Sequence, residues 1–218
     1  MNHIRTGNGD DERIRQRRKQ IITAAVQLFS ERGYFQTTVQ DIADTAGISA
    51  GLIYQYFRDK EDLLLLAILD VLDSYTAEIP RAVEEIADPL DRCCMAFRAY
   101  CRVVDGRQAS TILAYRSTKS LPYQQRQVIK NAERQTNQII MGYIEACIES
   151  GLFRQVDSEI ATYQLVMYAH AWALKQWQLA RRMDLETYVN QGLDLFLHAM
   201  LTDAGWQHLH RNRPGDAR

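Results

Sequence analysis

Between residues 49 and 60 the chain gathers side chains suited to holding a polyanion. Tyr54 and Tyr56 carry phenolic hydroxyls and Lys60 an ammonium, all donors to phosphate oxygens. Gln55 carries an amide that can pair with the edge of a base. Ser49, Ala50 and Gly51 are small. A backbone made of them can approach a partner closely and offer N–H groups at the positive end of a helix. Thr38 and Gln40 add a hydroxyl and a second amide a few residues earlier. Together these groups suggest contact with a nucleic-acid duplex, phosphates fixing position and one amide reading sequence. The plainer reading of Tyr54 is a core aromatic, and of Gln55 a solvated side chain.

Such groups work only if short helices hold them. Apolar residues at Ile14, Ile21, Ile22, Ala25, Leu28 and Phe29 fall at helical spacing and predict a helix over 12–32, ended by Gly33. Thr38 followed by Asp41 has the form of a capping box opening a helix that carries Val39, Ile42, Ala43 and Ala46 inward. Gly47 closes it, and Ser49 caps the next helix, over 50–57. Two short helices about a tight glycine turn form a helix-turn-helix, whose second helix enters the major groove. Asp59 with Asp62 opens a longer helix through Leu72.

The stretch 37–63 resembles the signature of TetR-family regulators at every spacing, including the segment Tyr54-Gln-Tyr-Phe-Arg-Asp-Lys-Glu-Asp-Leu63. Leu28-Phe29-Ser-Glu-Arg-Gly-Tyr34 fits as well, so the likeness covers roughly residues 13–72. Ala50 stands where many members carry lysine, and Tyr56 where histidine is commoner. The resemblance implies an all-α protein with a three-helix DNA-reading head and a helical ligand-binding and dimerisation bundle. It implies a regulator, a repressor above an activator, that binds a palindromic operator as a homodimer.

Beyond Pro80 the period stays helical, predicting helices over 89–105, 108–120, 123–150, 160–183 and 185–202. The expected divisions are an N-terminal arm over 1–11, a helix-turn-helix domain over 12–62, an effector and dimerisation domain over 63–202, and a fraying polar tail over 203–218. The helix from Ile160 is apolar on more than one face, as a helix buried from several sides would be, so the last two long helices are the expected dimer interface. Candidate effector contacts are Arg98, Arg102, Tyr115, Arg116, Tyr143 and His170. A guanidinium in an apolar helix suits a carboxylate or phosphate, and a surface arginine with a buried stem is the plainer reading. The segment 113–122, with an echo over 171–177, is similar to family members governing lipid and acyl-thioester breakdown. That likeness implies an acyl-CoA or fatty-acid-like effector, with other small hydrophobic or aromatic inducers as the alternative.

Composition narrows the alternatives. The net charge of −1 excludes a generally basic nucleic-acid coat, although Arg13, Arg15, Arg17, Arg18 and Lys19 crowd one segment without an acid. The longest apolar run, residues 63–69, is too short for a membrane span. The first residues lack a signal-peptide pattern, which makes cytoplasmic residence the expectation. Cys93, Cys94, Cys101 and Cys147 form no C-x-x-C motif and read as small buried hydrophobes. No nucleophile elbow, phosphate-cradling glycine loop or H-E-x-x-H motif is present, and neither an enzyme nor a resident cofactor or metal is expected. The remaining rival is a helical ligand-binding or interaction module on the same fold without operator binding.

Overall fold

The computed structural model describes residues 8–212. Helices dominate: α1 Asn8–Arg32, α2 Val39–Ala46, α3 Ala50–Tyr56, α4 Lys60–Ala82, α5 Pro89–Gly106, α6 Gln108–Ser117, α7 Tyr123–Glu149, α8 Ser158–Leu174, α9 Gln176–Leu179, α10 Leu185–Met200 and α11 Asp203–Asn212. A 3-10 turn, Thr118–Ser120, separates α6 from α7. Two compact units emerge, Met1–Asp70 with Ile112–Ile129, and Val71–Thr111 with Lys130–Arg218. Helix α4 continues without interruption through the boundary at 70/71.

Most of the set that the spacing picks out forms the core of the first unit, but Ile14 is 43% exposed and Ile22 and Val39 are only half-buried. Ile21, Ala25, Leu28 and Phe29 of α1 are buried, as are Ile42 and Ala43 of α2, Ile53 of α3 and Phe57. Gly33 ends α1 at φ 87°, in the left-handed region that a side chain would resist. The buried Thr37 hydroxyl donates to the Gly33 carbonyl at 2.9 Å, fixing the link into α2.

In the second unit α5 packs along α8, and α10 covers both. Phe97, Tyr100, Cys101 and Val104 of α5 are buried, with Leu165, Val166, Ala169 and Trp172 of α8 and Tyr188, Leu193 and Phe196 of α10. Polar ties fix the register. The Trp172 indole N–H donates to Asp105 at 2.7 Å. Tyr168 and Tyr188 stack at 4.4 Å between ring centres, and each hydroxyl donates to the other's backbone carbonyl, at 2.9 and 2.7 Å. An isolated bridge, Phe153 with Leu201, joins the turn after α7 to the end of α10.

Three expectations are corrected. Helix α1 begins at Asn8, four residues inside the expected arm, and residues 1–7 of that arm lie outside the described residues. The helix expected over 160–183 starts at Ser158, capped by Asp157, and breaks at Lys175, leaving Trp177 70% exposed. Residues 203–212 are helical rather than frayed. Thr202 closes the first turn by accepting from Gly205 N–H, and His208 reaches Asp88 at 2.6 Å.

Candidate nucleic-acid interface

The turn between α2 and α3 is built from caps that short-range chemistry dictates. The Thr38 hydroxyl accepts from Asp41 N–H at 3.1 Å while the Asp41 carboxylate accepts from Thr38 N–H at 2.8 Å. The Thr38 hydroxyl, which donates to that carboxylate, and then the Thr38 N–H hold the Asp41 carboxyl below its usual range. Gly47 follows at φ 66°, and Ser49 accepts from Leu52 N–H at 3.2 Å to start α3. A cap of this kind contributes about 1 kcal/mol.

Helix α3 then shows two faces. Ile53 is buried, whereas Ser49, Gly51, Tyr54 and Gln55 are exposed. Ala50 and Tyr56 lie partly covered. Tyr54, 56% exposed, is therefore not a core residue of this chain. Gly51 has open space where a Cβ would stand.

The structure uses three of the candidates differently from expectation. The Thr38 hydroxyl already gives its proton to Asp41 at 2.6 Å, and the Gln40 amide gives one to Asp44 at 2.7 Å. Lys60 donates to the carbonyls of Tyr34 and Thr37 at 3.1 and 3.0 Å, its ammonium 4.4 Å from the centre of the Tyr34 ring. An ammonium has three donors, so one remains. The backbone N–H of Asp62, beside Lys60 in the first turn of α4, is taken by the Asp59 carboxylate at 2.7 Å. Lys60 thus first ties the start of α4 to the segment between α1 and α2. Tyr34, which the spacing did not single out, forms the floor of that tie.

The effector candidates do not converge. Arg98 is engaged with Glu186 and Asn190 of α10, both at 2.6 Å, and so braces α5 on α10. Arg102 is exposed. Tyr115 and Arg116 are exposed in the other compact unit. Tyr143 lies beneath the Arg92 guanidinium, 5.7 Å from it.

His170 has the richest surroundings. Its Nε2 is 3.0 Å from the Tyr100 hydroxyl and 3.5 Å from that of Tyr75, and the two phenol rings stack at 4.3 Å. Burial pulls the imidazole down to about 4, leaving it neutral at pH 7. No spacing rule could have found this cluster, because its members lie on α4, α5 and α8. A histidine titrating lower in the fold than in the unfolded chain keeps its full stabilisation above about pH 6.5 and loses it as pH falls toward 4. The ring retains some solvent contact, so the expected loss is about 2 kcal/mol. Urea titrations at pH 6.5 and 4.5 check this: His170→Gln should lose less stability on acidification than the wild type.

A capped helix-turn-helix whose second helix turns small and polar groups outward defines a DNA-reading head. Residues 21–67 match the family described as bacterial regulatory proteins, tetR family, and residues 87–177 match the tetracyclin repressor-like C-terminal domain. The HTH-type transcriptional regulator HbdR of Aromatoleum sp. (strain CIB) is 48% identical over 196 residues, 90% of this chain and 86% of HbdR. The HTH-type transcriptional repressor KstR2 of Mycobacterium tuberculosis (strain ATCC 25618 / H37Rv) is 28% identical over 75% of this chain and 82% of its own. The crystal structure of FadR from Bacillus subtilis in complex with stearoyl-CoA matches with a TM-score of 0.70 at 24% identity, covering 83% of this chain and 98% of that one. At that identity the likeness is one of fold. The chain belongs to the TetR family of transcriptional regulators. Membership makes it a DNA-binding, ligand-responsive regulator and not an enzyme. No helix among the described residues is long and apolar enough to cross a membrane.

Proposed function

We propose that the protein is a repressor that binds a palindromic operator as a homodimer and is released by an acyl-CoA or fatty-acid-like effector. The observation that carries the operator reading is the outward face of α3, where Ser49, Gly51, Tyr54 and Gln55 stand exposed above the buried Ile53. In this reading Ser49, Ala50 and Gly51 bring the backbone to the groove, Tyr54 and Tyr56 donate to phosphates, and Gln55 reads a base. Lys60 offers its one remaining donor, while Thr38 and Gln40 act mainly through the local bonds that shape α2.

The dimer reading is supported by α8 and α10. Ile160, Tyr163 and Met167 are 57, 45 and 47% exposed at helical spacing, and Leu195 of α10 is 67% exposed. A row of large apolar groups open to water is the face that a second copy would cover. Repression is supported by the relative named as a repressor, KstR2. The effector reading is supported by the fold shared with FadR, solved with stearoyl-CoA. Arg102 and Tyr143 of the second unit remain proposals for that contact, with His170 orienting from within the core.

Footprinting on the DNA flanking the native gene, with and without stearoyl-CoA, tests the whole reading. A protected palindrome that the thioester clears is the expected result. Protection unaffected by any acyl-CoA or fatty acid would remove the effector and leave the regulator. The absence of any protected palindrome would remove operator binding.

A further inference from the structure

The basic run of α1 has no part in the reading above. Residues 13–19 hold four arginines and a lysine with no acid between them. The structure sorts these cations by face. Arg15 is paired with Glu12 at 2.9 Å. The Arg18 guanidinium lies over the ring of Phe57, the residue that closes α3, at 5.6 Å. Arg13 is exposed and Arg17 half-exposed. Being four residues apart they share one face of α1, a spacing at which like charges repel, and Gln20 continues that row three residues on.

That row leads to the tip of α3. The Arg17 guanidinium donates to the Gln20 amide oxygen at 2.7 Å, and the nitrogen of the same amide donates to the carbonyl of Ala46 at 2.6 Å. Ala46 is the last residue of α2, and Gly47, Ile48 and Ser49 then lead into α3. The relay therefore fixes the Arg17 guanidinium beside the turn that presents Ser49, Ala50 and Gly51. A guanidinium has five donors, and this bond uses one. Those left lie in the fork that matches two oxygens of a phosphate.

We propose that Arg13 and Arg17 grip the sugar-phosphate backbone of the operator alongside the groove that α3 enters, with Gln20 as the positioning residue for Arg17. This contact presupposes the operator reading given above and extends it to α1. Two cations whose Cβ atoms stand about 5–6 Å apart meet neighbouring phosphates of one strand, which also relieves their mutual repulsion. Contacts of this kind fix the register of the head on the duplex and carry no sequence information.

Fluorescence anisotropy of the full-length protein on the DNA protected in footprinting, between about 50 and 200 mM salt, tests the contact. The slope of log affinity against log salt should shrink by about 0.9 for Arg13→Gln, by the same for Arg17→Gln, and by about twice that for the pair. Each single change should weaken binding about tenfold at the lowest salt, with tolerance of base-pair changes in the site as in the wild type. Arg15→Gln removes the same charge from another face and should leave the slope unaltered. Gln20→Ala should weaken binding on its own and add nothing to Arg17→Gln. Thermal unfolding checks that each variant is folded. A slope unchanged in the doubly substituted protein, or reduced as much by Arg15→Gln, would overturn the proposal and leave the operator reading intact. Fully additive losses from Gln20→Ala and Arg17→Gln would overturn the positioning role. A wild type that protects no palindrome would instead remove the operator reading, and this contact with it.

Discussion

Glutamate in place of Gly51 is expected to reduce operator affinity more than 100-fold while leaving the fold as stable as before. Gly51 is exposed in the first turn of α3, and a Cβ there meets nothing within 4 Å. Its φ lies outside the left-handed region, so a side chain brings no backbone strain. Within the isolated protein the change is mildly favourable: glutamate is a better helix former than glycine by about 0.5–1 kcal/mol, and an acid suits a helix N-terminus. On DNA the same carboxylate would stand at the tip meant for the groove, between two rows of phosphates, and would block close approach of the backbone. Fluorescence anisotropy with the flanking DNA at fixed salt measures the loss, and thermal unfolding measures the unchanged fold. A variant that bound like the wild type would show that the tip of α3 is not what enters the groove.

The largest effect on stability is expected from Gly192→Val. A Cβ at Gly192 would lie 2.6 Å from Cζ of Tyr168, with Cε1 closer still. The ring has no room to yield, because it is stacked on Tyr188 and bonded to that residue's carbonyl through its hydroxyl. Either α10 moves away from α8 or the tyrosine pair breaks. Overpacking of this kind costs about 2–3 kcal/mol, or roughly 5–10 °C in Tm for a chain of this size. Gly142→Ala, where a Cβ meets nothing within 4 Å, is the control and should cost nothing. A Gly192→Val protein melting within a degree or two of the wild type would mean that the tyrosine pair is not a fixed contact.

What could be read from the sequence was what local chemistry decides. The Thr38–Asp41 box, the left-handed Gly47 and the Ser49 cap each involve residues within a few positions of one another, and each formed as its pattern predicts. Helix period also placed Ile42 and Ala43 inward. Contacts between distant residues were not legible. Arg98 looked available because nothing near it in the chain is acidic enough to hold it, yet Glu186 and Asn190 come to it from another helix. Lys60 looked like a phosphate donor because the carbonyls it binds, those of Tyr34 and Thr37, belong to every residue type and leave no signature. The break at Lys175 was hidden because apolar residues continue to Trp177, although that indole points to solvent. In 203–212 the polar composition concealed a helix fastened at its start by Thr202 and farther along by the His208–Asp88 pair.

The four cysteines give the second unit a built-in stopwatch. None is held in a disulfide, all are buried, and all belong to α5 or α7. Contact with Cys147, then burial, holds the Cys93 thiol well above its ordinary range, and burial does the same for Cys101. Because only an accessible thiolate reacts, a maleimide added to the intact protein must wait for these helices to part. The pace of its uptake therefore times the opening of that bundle, and any molecule that clamps the helices together will register as a slower tick.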